Sequence, residues 1–82
     1  MSEWLELDPQ DYEVAVEVWG IITGGRPQFV LTRRESEWDF CAVLHLDTDG
    51  VGGLEHIDSY PTLAAAQTAA EPTVREFLSN SR

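Results

Sequence analysis

The chemically most suggestive stretch of the chain is the acidic, glycine-containing segment 47–58. Calcium loops place carboxylates at alternate positions, a glycine at the sixth position and a bidentate glutamate at the twelfth. Counting from Asp47, Gly52 takes the sixth position and Asp58 the twelfth. Val51 stands at the fifth position, where an oxygen ligand belongs, and the closing residue is the shorter aspartate. Because the flanking residues are typical of strands rather than helices, we interpret the segment as a hairpin turn with solvated acids.

The two histidines, His45 and His56, flank this turn. If they faced each other across a hairpin they could form a zinc pair or a pH-sensitive pair. Nucleophilic catalysis would instead need a serine, a histidine and an orienting acid in a defined geometry. Many combinations of Ser36, Ser59, His45 and Asp58 can be imagined, and the spacing singles out none of them. We therefore predict no catalytic residue, no metal site and no cofactor, and we predict that the protein is not an enzyme.

The basic and aromatic residues cluster at Arg33-Arg34 and Trp38. In nucleic-acid binders arginine neutralises phosphate and an aromatic ring stacks on a base, but acids interleave with this cluster and cancel its charge. Arginine and tryptophan are also enriched in the hot spots of protein interfaces. Trp4, in an acidic arm over residues 1–7, can dock into a partner or back onto the sheet, and these aromatics can instead complete a small core. The predicted protein-interaction residues are Trp4, Arg33, Arg34, Trp38, Glu13 and Glu17.

The composition restricts the class of partner. Fifteen acidic residues against five basic ones give a net charge of -10 in 82 residues. A field of that sign repels nucleic acid and anionic membranes and favours basic protein surfaces or cations, although it also serves solubility. The single cysteine, Cys41, excludes an internal disulfide and lies in an apolar run, which indicates a buried, inert thiol. With no signal-peptide pattern and no apolar run near the ~20 residues that span a bilayer, we expect a cytoplasmic protein.

Residues 12–22 admit two interpretations. Asp8 can cap a helix that begins at Pro9, and Gly24-Gly25 can end it, which predicts a helix over residues 9–23. The same segment alternates valines with other residues, which is typical of a strand. We favour the helix because of its start signals and retain the strand as the alternative.

Three strands are predicted downstream, over residues 27–34, 38–46 and 54–60. A second helix is predicted from residue 63 onward. Thr62 can cap that helix, and Pro72 is expected to kink or split it because proline removes an amide and clashes with the preceding turn. The expected fold class is α+β in a single domain over residues 1–82: a three-stranded antiparallel sheet with helices packed on one face, in the order α-β-β-β-α. If the first element is a strand, the fold becomes a β-meander followed by a C-terminal helix.

In this organisation the chain resembles the double-stranded RNA-binding domain, over about residues 9–80. The resemblance rests on a helix ending near Trp19-Gly20, a strand opened by Pro27-Gln28-Phe29, and a last helix with Ala66, Ala69, Ala70, Val74, Phe77 and Leu78. That family binds phosphates with lysines at the start of its last helix. The corresponding sequence in this chain is Ser59-Tyr60-Pro61-Thr62-Leu63-Ala64. The resemblance therefore implies a shared fold without the RNA-binding residues.

These patterns predict a non-catalytic protein-interaction or accessory module with an acidic surface. Its partner would be a protein with a basic surface or a second copy of the chain, and neither a membrane nor a nucleic acid is expected. One alternative is an acidic mimic of nucleic acid that inhibits a nucleic-acid-binding protein, which requires acids on one face at phosphate-like intervals. The other is a small metal-binding or enzymatic protein that uses the hairpin over residues 45–58.

Overall fold

The protein folds as an antiparallel meander followed by one helix. A computed structural model describes residues 3–11, 15–45 and 51–80. Within these residues the sheet has five strands, and strands that follow one another in the sequence are neighbours in the sheet. The elements are β1 Leu5–Leu7, β2 Glu17–Thr23, β3 Arg26–Arg34, β4 Glu37–His45, β5 Val51–Tyr60 and α1 Leu63–Asn80.

The expected N-terminal helix over residues 9–23 is wrong. A single 3-10 turn over Pro9–Asp11 stands in its place, and β2 follows. The capping signal is real, because Asp8 Oδ1 accepts a hydrogen bond of 2.9 Å from the Gln10 amide, but it supports only that turn. The segment rich in valine and isoleucine pairs with β3 along the whole of β2, where branched side chains pack well. Residues 12–14 lie outside the described part of the chain.

The fold class changes accordingly. The three-stranded sheet in the order α-β-β-β-α is replaced by the alternative, a β-meander with a C-terminal helix. The resemblance to the double-stranded RNA-binding domain fails for the same reason, since that organisation needs a helix before its first strand.

Gly24-Gly25 forms a hairpin turn rather than the end of a helix. Both residues have positive φ angles, 59° and 77°, which a two-residue turn between twisted antiparallel strands requires. Glycine serves either purpose, as a helix end or as a hairpin turn, so the choice depends on the preceding residues. The turn between β3 and β4 uses Glu35 in the same left-handed region, at a φ of 55°.

Helix α1 begins where the sequence indicates, because Thr62 Oγ1 accepts a hydrogen bond of 3.1 Å from the Ala65 amide. It is not split at Pro72 but continues to Asn80. Pro72 is exposed, while Ala70 and Val74 on either side of it are fully buried against the sheet. We infer that this packing on both sides of the proline offsets the hydrogen bond that it removes.

The sheet buries both of its faces, by different means. On the helix face, α1 covers large side chains of β2, β3 and β4 with small ones of its own: Ile21, Phe29, Leu31, Trp38 and Phe40 under Ala66, Ala70 and Val74. On the second face, a smaller cluster lies beneath residues of the N-terminal segment: Val18, Val30, Cys41 and Val43 under Leu7 and Ala15. The helix thus seals one face, and the chain before β2 contributes to sealing the other.

The second face depends on a close approach between Leu7 and Gly20. A Cβ atom at Gly20 would stand 2.5 Å from Leu7 Cδ1, so glycine leaves the space that the leucine fills. The adjoining pairs of β1 and β2, from Leu5 opposite Gly20 to Leu7 opposite Val18, keep the leucine in register.

We expect Gly20→Ala to destabilise the protein by about 1–3 kcal/mol, the usual cost of overpacking, because the added methyl collides with Leu7. The same substitution made together with Leu7→Ala should cost clearly less, since the colliding atom is gone. Urea denaturation of the four proteins measures both costs as a double-mutant cycle. Equal costs of Gly20→Ala in the two backgrounds would show that the leucine does not set the constraint.

Candidate functional site

On the second face, three polar residues surround the buried carboxylate of Asp39. We call the four residues the Asp39 cluster: Arg34, Asp39, His56 and Ser59. Asp39 Oδ1 accepts a hydrogen bond of 2.7 Å from Ser59 Oγ, and Asp39 Oδ2 lies 3.3 Å from Arg34 Nε. His56 Nε2 lies 2.9 Å from Ser59 Oγ and 3.6 Å from Asp39 Oδ1. The Asp39 side chain is 12 % exposed, so these contacts compensate a carboxylate largely removed from water.

Strand register brings the cluster together. Asp39 lies opposite Ser59 in the pairing of β4 with β5, whereas Cys41 lies opposite His56. A register shift between Phe40 and Cys41 leaves Ile57 as an extra residue on β5. Simple alternation predicts His56 and Ser59 on opposite faces, but the bulge puts both on the second face.

The cluster resembles a catalytic triad in composition but not in geometry. A serine nucleophile must donate its proton to the histidine, which acts as the base. Here Ser59 donates its only hydroxyl hydrogen to Asp39, so its contact with His56 requires His56 Nε2 to be the donor. The arrangement therefore fits a cross-strand polar tie rather than an activated nucleophile.

The metal sites considered from the sequence lie only partly within the described residues. His45 lies opposite Val51 and His56 opposite Cys41, so the histidines do not face each other across the hairpin. The second half of the calcium-like segment, from Val51 onward, is part of β5, and residues 46–50 lie outside the described part. Among the described residues no three histidine, cysteine or acidic side chains are placed to share a metal ion.

The predicted cluster of Arg33, Arg34 and Trp38 is divided between the two faces. Arg33 lies opposite Trp38 on the helix face, where Trp38 is 6 % exposed and belongs to the core. Arg34 points to the second face and contacts Asp39. Arg33 Nε lies 3.6 Å from Glu17 Oε1, which places another of the predicted residues in a surface ion pair.

Of the remaining predicted residues, Trp4 precedes β1 and Glu17 is the first residue of β2. Trp4 packs back onto the sheet, edge-on to Phe40 with ring centroids 6.4 Å apart, and its indole nitrogen is buried without a hydrogen-bond partner. Glu17 also accepts a hydrogen bond of 2.7 Å from Trp19 Nε1. Glu13 lies outside the described residues, and the interaction role of all these side chains stays a prediction.

Sequence reasoning did not single out the outer edge of β5, which we call the β5 edge: Leu54, Glu55, His56, Ile57 and Asp58. β5 is the last strand of the sheet, and all five side chains are exposed. Two of them are large and aliphatic, Leu54 at 39 % and Ile57 at 44 % exposure. Edge strands present unpaired backbone groups, so an edge that also exposes aliphatic side chains is suited to contact another chain.

The bulge also concentrates acid on this edge. Glu55 lies opposite Ala42 and Asp58 opposite Phe40, which makes the two acids neighbours on the helix face. The ion pairs found among the described residues involve neither of them. Asp58 instead accepts hydrogen bonds from the Ser59 amide at 2.8 Å and from the Tyr60 hydroxyl at 3.4 Å.

An open depression of about 830 Å³ adjoins the Asp39 cluster at the turn between β3 and β4. Its lining mixes both charges with one exposed aliphatic residue: Val16, Arg33, Arg34, Glu35, Ser36, Glu37 and Asp39. The two arginines face Glu17 and Asp39, whereas Glu35 and Glu37 leave the lining with more acids than bases, so the depression has no surplus positive charge that would select an anion.

The chemistry of Cys41 follows from its position beneath the Asp39 cluster. Burial raises the pKa of the Cys41 thiol from 9.0 to about 11, and the negative charge of Asp39 adds to the effect while Arg34 opposes it. A thiol that resists ionisation is a poor nucleophile. The expectation of a buried, inert cysteine agrees with this environment.

Comparison with protein families, curated proteins and solved structures finds no match to the chain. No helix within the described residues has the length and hydrophobicity that crossing a lipid bilayer requires. The site is therefore interpreted from its own geometry.

We expect Cys41 of the folded protein to react slowly with a thiolate-specific reagent at pH 8. A pKa near 11 in place of 9.0 lowers the thiolate population about 100-fold, and burial slows access further. Labelling rates of the native and urea-unfolded protein measure the difference, and the single cysteine makes the signal unambiguous. Asp39→Asn should raise the native rate, after subtraction of labelling through the unfolded state, because it removes a charge that opposes ionisation. A native rate equal to that of the unfolded chain would contradict the buried thiol.

Proposed function

We propose that the protein is a non-catalytic interaction module that binds a basic surface of another protein through the β5 edge. The observation that carries the proposal is the combination found there: an unpaired sheet edge, two exposed aliphatic side chains and two adjacent acids outside the described ion pairs. Burial of the exposed apolar surface would contribute favourable binding free energy. The acids would orient the partner and discriminate between basic and acidic partners.

The Asp39 cluster supports a module that is not an enzyme. Ser59 donates a hydrogen bond to Asp39, and the contacts of Asp39 with Arg34 and Ser59 join β4 to the strands on both sides of it. A network of this kind fixes the position of β5 against β4, and it thereby holds the edge in place. The cluster acts as a support for the interaction surface in this proposal.

The distribution of acids favours a discrete binding edge over a nucleic-acid mimic. Register places Glu17, Glu55 and Asp58 on the helix face but Glu37 and Asp39 on the second face. A mimic of a phosphate backbone needs its carboxylates in a single row on one surface. Two adjacent acids beside aliphatic residues match a protein contact better.

The net charge of -10 supports a basic partner, because long-range attraction raises the rate at which oppositely charged proteins meet. A cytoplasmic location is part of the proposal. It is consistent with a free, buried thiol in place of a disulfide.

The test compares proteins captured from a native lysate by three forms of the chain: wild type, an edge variant with Leu54→Ser and Ile57→Ser, and a matched control with Leu5→Ser and Val16→Ser. The control replaces two aliphatic residues of similar exposure, 43 % and 57 %, at the other side of the sheet. Neither pair changes the net charge. We expect a partner that wild type and control retain and that the edge variant loses at least tenfold, corresponding to about 1.4 kcal/mol.

Circular dichroism and thermal melting confirm that the edge variant is folded before capture is compared. A partner retained equally by all three forms would place the contact elsewhere on the surface. The absence of any partner specific to the wild-type protein would contradict an interaction module.

A further inference from the structure

We propose that the β5 edge binds an extended segment of its partner as an added strand of the sheet, and that this segment carries basic residues at positions i and i+2. The inference rests on the proposed function and specifies its binding mode and the chemistry of its partner. Strand addition gains affinity from main-chain hydrogen bonds and specificity from side chains at alternate positions.

The backbone of β5 is available for such pairing. The strand has ten residues, and β4 lies on one side of it only. Among the described residues, backbone hydrogen bonds outside helices and strand pairs occur at Val16–Arg33 and Ala66–Thr62, and neither touches β5. The outward amides and carbonyls of β5 thus have no backbone partner in the described part of the chain.

The spacing of basic residues in the partner follows from the bulge. Glu55 and Asp58 are three apart in sequence, yet they lie opposite Ala42 and Phe40, which are two apart on β4. On β5 they are therefore successive side chains of the helix face. A regular added strand presents every second side chain to that face, so residues i and i+2 lie beside the two acids.

On the second face, the exposed side chain of Leu54 favours apolar residues in the added strand. Leu54 lies opposite Val43 on the second face, and His56 follows it opposite Cys41. The side chain between the two basic positions would lie beside His56, and the next second-face side chain beyond the residue facing Glu55 would lie beside Leu54 and cover its exposed surface. A segment in which basic and branched aliphatic residues alternate meets both faces at once.

Asp58 marks one end of this docking surface. Its Oδ1 accepts a hydrogen bond of 2.8 Å from the amide of Ser59, so that amide is already occupied. The pairing is therefore expected within residues 53–58, before Ser59.

A second copy of the chain is a poor occupant for the same edge. Pairing two β5 strands would bring two sets of Glu55 and Asp58 together, between molecules that each carry a net charge of -10. Like charges at a sheet edge discourage edge-to-edge association, and the bulge twists the strand further from a self-complementary shape. The same charges attract a basic strand, so they discriminate between a basic partner segment and a second β5 strand.

The test uses the full-length chain labelled with nitrogen-15 and a short peptide of alternating lysine and valine. We expect amide hydrogen exchange to slow at alternate positions within residues 53–58 when the peptide is added. Two comparison peptides separate the causes: one has the same composition with the lysines and valines in separate blocks, and the other has glutamate in place of lysine. Neither should slow exchange at β5.

Charge-removing variants test the role of the two acids. Glu55→Gln and Asp58→Asn should each weaken peptide binding roughly 2- to 5-fold, the range for single exposed ion pairs. Asparagine retains an oxygen that can accept the bond from the Ser59 amide. The matched control is Glu76→Gln on the exposed part of α1, which makes the same change in net charge and should leave binding unchanged.

Equal weakening by all three variants, or slowed exchange with the blocked peptide, would show attraction to net charge and overturn strand addition. Protection of β5 amides in the protein alone, with a dimer in sedimentation, would make a second copy the occupant and likewise overturn it. A lysate partner lost by the edge variant together with no protection by the alternating peptide would leave the interaction module standing and refute only its binding mode.

Discussion

A sheet has two faces and two edges, and the described part of this chain has one α-helix with which to cover them. Helix α1 covers the helix face with small residues such as Ala66 and Ala70, which let it approach a layer of phenylalanine, leucine and tryptophan side chains. The second face is sealed partly by Leu7, which fits only because Gly20 lacks a side chain. The buried residues of both clusters lie in β2, β3, β4 and α1, and β5 adds the partly buried Tyr60 at its end, so the rest of the described strand lies at the boundary with solvent.

The first element shows where sequence reasoning reaches its limit. Asp8 and Pro9 are true start signals, and Asp8 does bind the Gln10 amide, but a cap contributes only about 1 kcal/mol. Pairing of seven β2 residues with β3, together with burial of Val18 and Ile21, outweighs that local preference. Gly24-Gly25 is compatible with either a helix end or a hairpin turn, so it does not decide between helix and strand. The predicted cap of α1 at Thr62 is confirmed, and the alanines that follow it favour the helix.

The candidate site was less accessible to prediction than the fold. Asp39 and Ser59 are twenty positions apart, and only the register of β4 against β5 brings them together. Alternation alone groups Asp58 with Leu54 and His56, but the bulge at Ile57 moves Asp58 to the face of Glu55 and moves Ser59 to the face of His56. No residue type in that stretch reveals the extra position, because isoleucine is an ordinary strand residue. The sequence shows that the region is acidic, but it does not show which acids belong to the Asp39 cluster and which lie on the β5 edge.

The bulge joins the two halves of the site physically. The displacement that pairs Ser59 with His56 on the second face also makes Glu55 and Asp58 neighbours on the helix face. On one face the Asp39 carboxylate is held by Ser59 and Arg34, and on the other the carboxylates remain outside the described ion pairs. β5 is therefore joined to β4 by the hydrogen bond between Ser59 and Asp39, and it carries exposed acids on its other face. In the proposed function a docking strand must match a fixed register, so the internal cluster would keep the edge in place and the outer acids would set the choice of partner by charge.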